Sequence, residues 1–229
     1  MRLSTPGSRT RGWHQKRRWR FFRLCCILAG FGDRLSSWLF QAKVNCMATA
    51  APPVTVEDYK VLPETGPRYQ LVEGSLRMAP APSRYHQDIS RNIGFVIHQW
   101  IEAGGGGRIY YAPFDVYLDD TNVFQPDLVY VSGENMGILT DAGAEGAPDL
   151  IIEILSPSTR EIDLGPKKKV FARHGVEEMW IVDPEPKTID QFLLSQDPEK
   201  PAQQLTESDQ FASEMLPGLT IDCPTVFAW

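Results

Sequence analysis

The sequence has 229 residues, of which 42% are hydrophobic and 23% charged, and its formal net charge is −6 at pH 7. This composition is close to the average for a soluble globular domain, and the length favours a single domain with an appendage. Only Cys223 of the four cysteines lies beyond residue 46, which excludes a disulfide framework and a cysteine metal site in the rest of the chain.

The charge is distributed unevenly along the chain. Residues 1–46 hold ten of the 23 basic residues and one of the 29 acids, a balance of +9, whereas residues 47–229 have a balance of −15. The apolar run 24–29 is too short to span a bilayer, so no membrane partner is expected. Residues 1–46 therefore represent either a basic targeting or membrane-surface segment, or a translation start assigned too early. We favour the second interpretation, with Met47 as the true start and one domain over 47–229.

The first elements of this domain are predicted by capping and turn signals. Thr55 and Asp58 have the spacing of a capping box, and Pro63 keeps the helix that they open short. A hairpin is predicted over residues 68–78, with its turn at Gly74. Ser83 can cap a long helix, in which six apolar residues follow helical spacing until the glycine run 104–107.

His86 lies on the inward stripe of this long helix, in its first turn. A histidine at the rim of a core is commonly a structural hydrogen-bonding residue. Its position beside a helix N-terminus, where anions are stabilised, also favours a contact with substrate. Both interpretations stay open at this point.

A series of strands is predicted next, over residues 108–112, 114–118 and 123–131. In the third strand, alternation places Phe124, Leu128 and Tyr130 on one face and Asp127 on the other, with Val129 and Val131. Asp127 is therefore an acid embedded in a strand. A looser stretch, 132–146, leads to the next strand.

The most informative stretch is 147–160, which reads APDLIIEILSPSTR. Its short apolar run is typical of a strand covered on both faces, and Asp149, Glu153 and Leu155 share one side of it. A carboxylate in the middle of such a strand is costly to desolvate unless a cation or hydrogen-bond donors meet it. Glu153 is therefore a candidate site residue, whereas Asp149 at the strand entry is interpreted as structural.

A second helix is predicted from a cap at Asp163 to about His174. Lys167 lies on its inward face, while Lys168 and Lys169 are rotated away. These two lysines and Arg160 are expected to be solvated or, at most, to make general contacts with phosphate. Strands are predicted over 178–183 and 188–194, followed by a last pair of extended segments ending at 221. The order of elements predicts an α/β (α+β) fold with a mixed sheet flanked by helices.

Two strand-borne acids and one inward lysine suit phosphodiester chemistry. If the strands of Asp127 and Glu153 pair, their carboxylates can converge at one edge of the sheet. One or two carboxylates, waters and phosphate oxygens are the ligands that Mg²⁺ prefers, and Mn²⁺ is an expected substitute. Lys167 could stabilise developing negative charge or orient the attacking water.

The motifs, taken in order, resemble those of the Uma2 family (DUF820), within the PD-(D/E)XK nuclease superfamily. The matching stretches are residues 69–74 (YQLVEG), 83–86, 125–128 (QPDL), 147–160, 175–184 and 216–219, together with Asp163 and Lys167. The resemblance implies a restriction-endonuclease-like core, a cytoplasmic setting, DNA as substrate and a metal site at Asp127 and Glu153.

The sequence departs from the family's pattern in two places. Leu155 occupies the position where the superfamily places its lysine, and the resemblance implies that Lys167 on the following helix replaces it. The family often has glutamate where this chain has Gln70, and the amide could weaken ion binding. Glu73 stands nearby in the sequence. We therefore name His86, Gln70, Glu73 and Asp163 as candidate supporting residues.

Three functional hypotheses follow. The first is a Mg²⁺-dependent DNA endonuclease, and the second is a nucleic-acid- or protein-binding module that has kept the fold and lost turnover. The third is an unrelated metal-dependent hydrolase on a mixed sheet. The acidic balance of residues 47–229 argues against tight nonspecific DNA binding by a monomer, but it is compatible with a local basic groove or with a homodimer that pools one.

Overall fold

The structure is a computed structural model that describes residues 52–63 and 65–228. The interpretations of residues 1–46 and of the start at Met47 lie outside these residues. The helices are α1 Val56–Lys60, α2 Arg84–Trp100, α3 Arg160–Ile162, α4 Lys168–His174 and α5 Cys223–Val226. The strands are β1 Arg68–Val72, β2 Ser75–Ala79, β3 Arg108–Tyr111, β4 Val116–Asp119, β5 Asn122–Phe124, β6 Leu128–Val131, β7 Leu139–Thr140, β8 Gly143–Glu145, β9 Leu150–Ile154, β10 Glu178–Asp183, β11 Thr188–Leu193, β12 Gln203–Thr206, β13 Gln210–Ala212 and β14 Thr220–Asp222.

Two six-stranded mixed sheets form the framework. One has the order β2-β1-β5-β4-β8-β7, and the other has the order β12-β11-β10-β9-β6-β3. In the second sheet β9 is parallel to β10 and antiparallel to β6. The prediction of a mixed sheet with helices is confirmed, while the division of the strands into two large sheets was not predicted.

The second sheet is covered on both faces. On one face Leu128, Ile152 and Trp180 pack with the buried isoleucines of α2 and with α5. On the other face Val129 and Ile151 pack with α4 and with residues of the first sheet. Strand β9 is therefore buried on both sides, as its apolar run predicts.

Local signals predicted several elements well. Thr55 accepts a hydrogen bond from Asp58 N, and Asp58 accepts one from Thr55 N, which completes the capping box of α1. Ser83 Oγ caps α2 by accepting from His86 N at 3.3 Å. Strands β1 and β2 pair across the turn at Gly74, where φ is +73°. That positive φ is readily available to glycine, which has no Cβ.

The predicted strand 123–131 is wrong as a single element. It divides into β5 and β6, which belong to different sheets, and residues 125–127 connect them. Pro126 has no backbone N–H and cannot continue a sheet ladder. As a result Phe124 packs in the opposite core layer from Leu128 and Tyr130, contrary to the predicted alternation.

The second predicted helix also differs in its start. This region consists of three consecutive helical segments: α3 (Arg160–Ile162), a π-helical turn (Asp163–Lys167) and α4 (Lys168–His174). Gly175, in the left-handed conformation, ends it. Asp163 lies inside the helix and its carboxylate faces Lys167, so its predicted role as N-cap is wrong. An i, i+4 attraction to a buried lysine outcompetes the backbone capping role for this side chain.

Glu178 was not singled out by the sequence, yet it is fully buried at the start of β10. Its Oε1 accepts from Trp180 Nε1 at 2.5 Å and Gln191 Nε2 at 2.8 Å. Its Oε2 accepts from Ser213 Oγ at 2.9 Å and from the backbone N–H groups of residues 214 and 215. These five donors satisfy the buried carboxylate and tie the C-terminal segment to the sheet.

We expect Glu178→Gln to lower the free energy of unfolding by about 2–4 kcal/mol, because an amide –NH₂ group would then face N–H or O–H donors. Urea unfolding followed by circular dichroism measures this loss. The control is Glu161→Gln, an exposed carboxylate on α3, which should change stability by less than about 0.5 kcal/mol. If Glu178→Gln lowers the free energy of unfolding no more than Glu161→Gln does, the structural role assigned to Glu178 is contradicted.

Candidate active site

The antiparallel register of β6 and β9 brings Asp127 and Glu153 together. Leu128 pairs with Ile152, so the next step of the same register places Asp127 opposite Glu153. Residues directly opposite in an antiparallel pair project from the same side of the sheet. The predicted pairing of β6 with β9 is observed, although the short strands β7 and β8 come between them in the chain. Asp127 itself lies in the connection just before β6, so the prediction that it is embedded in a strand is wrong.

Glu153 meets a buried lysine. The ammonium of Lys167 contacts Glu153 Oε1 and lies 2.9 Å from Asp163 Oδ1. We call these three residues the acid–lysine cluster, and at most 3% of each is exposed. Glu153 Oε1 is the oxygen that contacts the ammonium, so the two groups form a buried ion pair.

The cluster holds two carboxylates and one ammonium away from water. Burial raises the pKa of Glu153 well above its ordinary value, and the attraction of Lys167 only partly opposes this effect. Burial by itself would lower the pKa of Lys167, but Glu153 and Asp163 outweigh it and raise that pKa, so the lysine stays charged. The cluster thus keeps a permanent positive charge beside a carboxyl group that is costly to ionise.

Asp127 is held by contacts different from those of Glu153. Its Oδ2 accepts from the backbone N–H of Ile154 at 2.7 Å and lies 3.1 Å from His86 Nε2. Burial would lower the pKa of His86, but the hydrogen bond and charge of Asp127 raise it overall. His86 thus contacts a predicted site residue and also lines the cleft, so both of its interpretations stay predictions.

These groups line one open cleft of about 1420 Å³ at the end of the second sheet. Its wall includes Gln70, His86, Asp127, Glu153, Asp163 and Lys167. The cleft is larger than the roughly 300–1,000 Å³ typical of small-ligand pockets, so an extended molecule can enter it. Helix α2 supplies one wall, and the segment from β9 to α4 supplies the other.

The remaining predicted residues fall into two groups. Gln70 lines the cleft, and its Oε1 accepts from Gln125 N at 3.2 Å, which fixes the connection that leads to Asp127. Glu73 lies in the turn between β1 and β2 with φ at +46°, and it is not among the residues that line the cleft. Asp149 accepts hydrogen bonds from Ser132 and Asn135, which confirms its structural interpretation.

Of the basic residues predicted to be solvated, Lys168 is buried, whereas Arg160 and Lys169 are exposed as predicted. Lys168 is 6% exposed, and its ammonium lies 4.2 Å from the ring centroid of Phe192. The preceding π-helical turn changes the rotation expected for a regular α-helix, which turns Lys168 inward. Arg160 lines the cleft and lies 2.5 Å from Asp183 Oδ2, with about half of its side chain exposed. The i, i+4 spacing of Asp163 and Lys167 was a sequence signal for their pairing.

The residues present fit a divalent cation of the magnesium type. Asp127 and Glu153 offer two carboxylates from opposed positions, and both residues line the cleft. No preformed group of three or more His, Cys, Asp or Glu side chains suited to a metal occurs in residues 52–63 and 65–228. Further ligands would therefore be waters or substrate oxygens, as is usual for Mg²⁺.

Taken together, a mixed sheet whose end carries opposed acids and a buried lysine defines a protein of the nuclease-fold class. The family model of Uma2, described as "Putative restriction endonuclease", matches residues 56–224. The chain belongs to the Uma2 family. A solved structure described as "a putative nuclease belonging to DUF820" from Anabaena variabilis has a similar fold, with a TM-score of 0.63 and 21% identity. The alignment covers 76% of this chain and 98% of that one.

No curated protein matches the chain. Within the part of the chain that the structure describes, no helix combines the length and apolar character needed to cross a bilayer.

Proposed function

We propose that this protein is a Mg²⁺-dependent endonuclease that hydrolyses phosphodiester bonds in DNA. The observation that carries the proposal is the position of Asp127 opposite Glu153, with the Lys167 ammonium in contact with Glu153 at the cleft. Membership of the Uma2 family and the fold of the DUF820 structure support it. A cytoplasmic setting and a homodimer belong to the same proposal.

Each residue has a role that follows from its contacts. Asp127 and Glu153 would hold the cation, which when bound polarises the phosphate and lowers the pKa of water. Lys167 keeps a fixed positive charge beside Glu153, where it stabilises negative charge that develops on the phosphate oxygens. Asp163 holds this ammonium in place, and His86 and Ile154 N orient the Asp127 carboxylate. Gln70 positions the connection before Asp127 through Gln125.

The test is metal-dependent cleavage by the full-length chain. After treatment with EDTA, the protein should leave supercoiled plasmid intact, and added Mg²⁺ or Mn²⁺ should restore nicking or linearisation, read on agarose gels. Cleavage that persists in EDTA would contradict the proposed metal site. Binding without cleavage under every metal condition would favour the alternative of an inactive binding module on the same fold.

A further inference from the structure

An exposed aromatic ring stands in the cleft beside the candidate site. Tyr111, the last residue of β3, is 44% exposed and lines the cleft. Its ring rests against the backbone of α2 at Gly94, where an added Cβ would overlap the ring. The absence of a Cβ at Gly94 therefore lets the hydroxyl-bearing end of the ring approach the helix closely, while 44% of the residue stays exposed.

Tyr111 is close to Asp127 along the sheet. It pairs with Leu128 in the antiparallel register of β3 and β6, and the next residue, Ala112, donates its backbone N–H to Asp127 O at 3.1 Å. Tyr111 and Asp127 therefore lie one residue apart across the strand pairing, and both line the same cleft. A base bound at Tyr111 would occupy the cleft that contains the proposed metal site.

Basic side chains accompany the ring. Arg68 and Arg91 line the same cleft, and Arg91 also forms an ion pair with Asp88 on α2 at 2.9 Å. Arginines placed along a groove contact phosphates, whereas an aromatic face offers a stacking surface to any base. In a fully paired duplex the base faces are already stacked on one another, so a side-chain ring has access only to an unpaired base.

We propose, on the basis of the proposed nuclease function, that the preferred substrate is DNA with unpaired bases at the cleavage point, and that one base stacks on Tyr111. Single strands, gaps and flaps are the DNA structures that offer such a base. The acidic balance of residues 47–229 is consistent with this preference, because it weakens nonspecific attraction to duplex DNA.

The experiment measures binding by the full-length chain in EDTA, which separates it from cleavage. Fluorescence anisotropy gives Kd for a labelled single-stranded oligonucleotide and for its duplex, and 2-aminopurine in the single strand reports stacking. We expect Tyr111→Ala to raise Kd for the single strand about 5- to 150-fold and to remove the 2-aminopurine quenching, with less than about twofold change for the duplex. Tyr111→Phe, which keeps the ring, should bind within about twofold of wild type.

Two further variants separate stacking from a general loss of structure. Gly94→Ala should displace the intact Tyr111 ring and, like Tyr111→Ala, raise Kd for the single strand. Because alanine has a higher helix propensity than glycine, this effect would not come from a weakened helix α2. Phe95→Ala removes a ring that is 57% exposed on α2 but does not line the cleft, and it should leave both Kd values unchanged.

The outcomes distinguish this inference from the nuclease proposal. Equal affinity for single strand and duplex, or single-strand binding unaffected by Tyr111→Ala, overturns the inference even if the protein cleaves plasmid. Single-strand binding that depends on Tyr111, in a protein that cleaves no DNA with any divalent metal, supports the stacking site while rejecting the nuclease function.

Discussion

Full-length protein carrying Glu153→Gln is expected to cleave plasmid DNA roughly 10²–10⁴-fold more slowly than wild type in Mg²⁺, which corresponds to the several kcal/mol that a metal ion contributes to such a transition state. The substitution replaces one carboxylate of the proposed site by a neutral amide of the same shape. Burial already makes the ionised form of Glu153 costly, so the amide suits its surroundings and the fold should be kept. Initial rates of nicking measure the effect.

The Glu153→Gln result is interpretable only beside two other variants. Asp127→Asn should show a loss of similar size, because the opposed carboxylate is removed instead. Glu161→Gln changes an exposed carboxylate that does not line the cleft and should cleave at the wild-type rate. Undiminished cleavage by Glu153→Gln, with a normal circular dichroism spectrum, would show that the activity arises at another site or from a contaminating nuclease.

Lys167→Met is expected to lower the free energy of unfolding by about 3–5 kcal/mol at pH 7. Methionine fills a similar volume, so the loss comes mainly from leaving Glu153 and Asp163 buried without their cation. Urea unfolding measures this difference. The matched control is Lys169→Met, two residues further along and exposed, which should change stability by less than about 0.5 kcal/mol.

A double variant and a change of pH identify the cause of that loss. Lys167→Met combined with Glu153→Gln should recover part of the stability, because only Asp163 then remains without a partner. Burial already raises the pKa of Glu153 well above its ordinary value, and loss of the ammonium removes the charge that opposes this effect. The cost of ionising the buried Glu153 carboxyl is absent at low pH and grows as the pH rises, so the deficit of Lys167→Met should shrink towards pH 4. A deficit that is constant with pH would point to packing rather than charge.

The local elements were predictable because their signals lie within a few residues. Each signal depends only on residues about one turn away in the sequence. The signals are the capping residues Thr55 and Ser83, the hairpin turn at Gly74 and the spacing of the isoleucines of α2. The buried strand around Glu153 was recognisable for the same reason, since its apolar run has no solvent-facing side.

Pairing across the chain was less predictable. The division of 122–131 into two strands depends on which sheet each half joins, and the presence of Pro126 alone does not settle that. The Lys168 side chain points inward because a π-helical turn precedes it, and a prediction based on 3.6 residues per turn does not include such a turn. Glu178 was overlooked because three of its five donors come from residues 213–215, far along the chain.

The sequence by itself determined which side chains are chemically costly to bury, and it thereby identified Asp127, Glu153 and Lys167 as candidates. Only the tertiary structure decided how they meet, because the register of β6 and β9 sets the two acids opposite each other and the helix after β9 returns Lys167 to Glu153. It also decided that Tyr111 stands in the cleft over Gly94, a contact between a strand and a helix that no local pattern encodes.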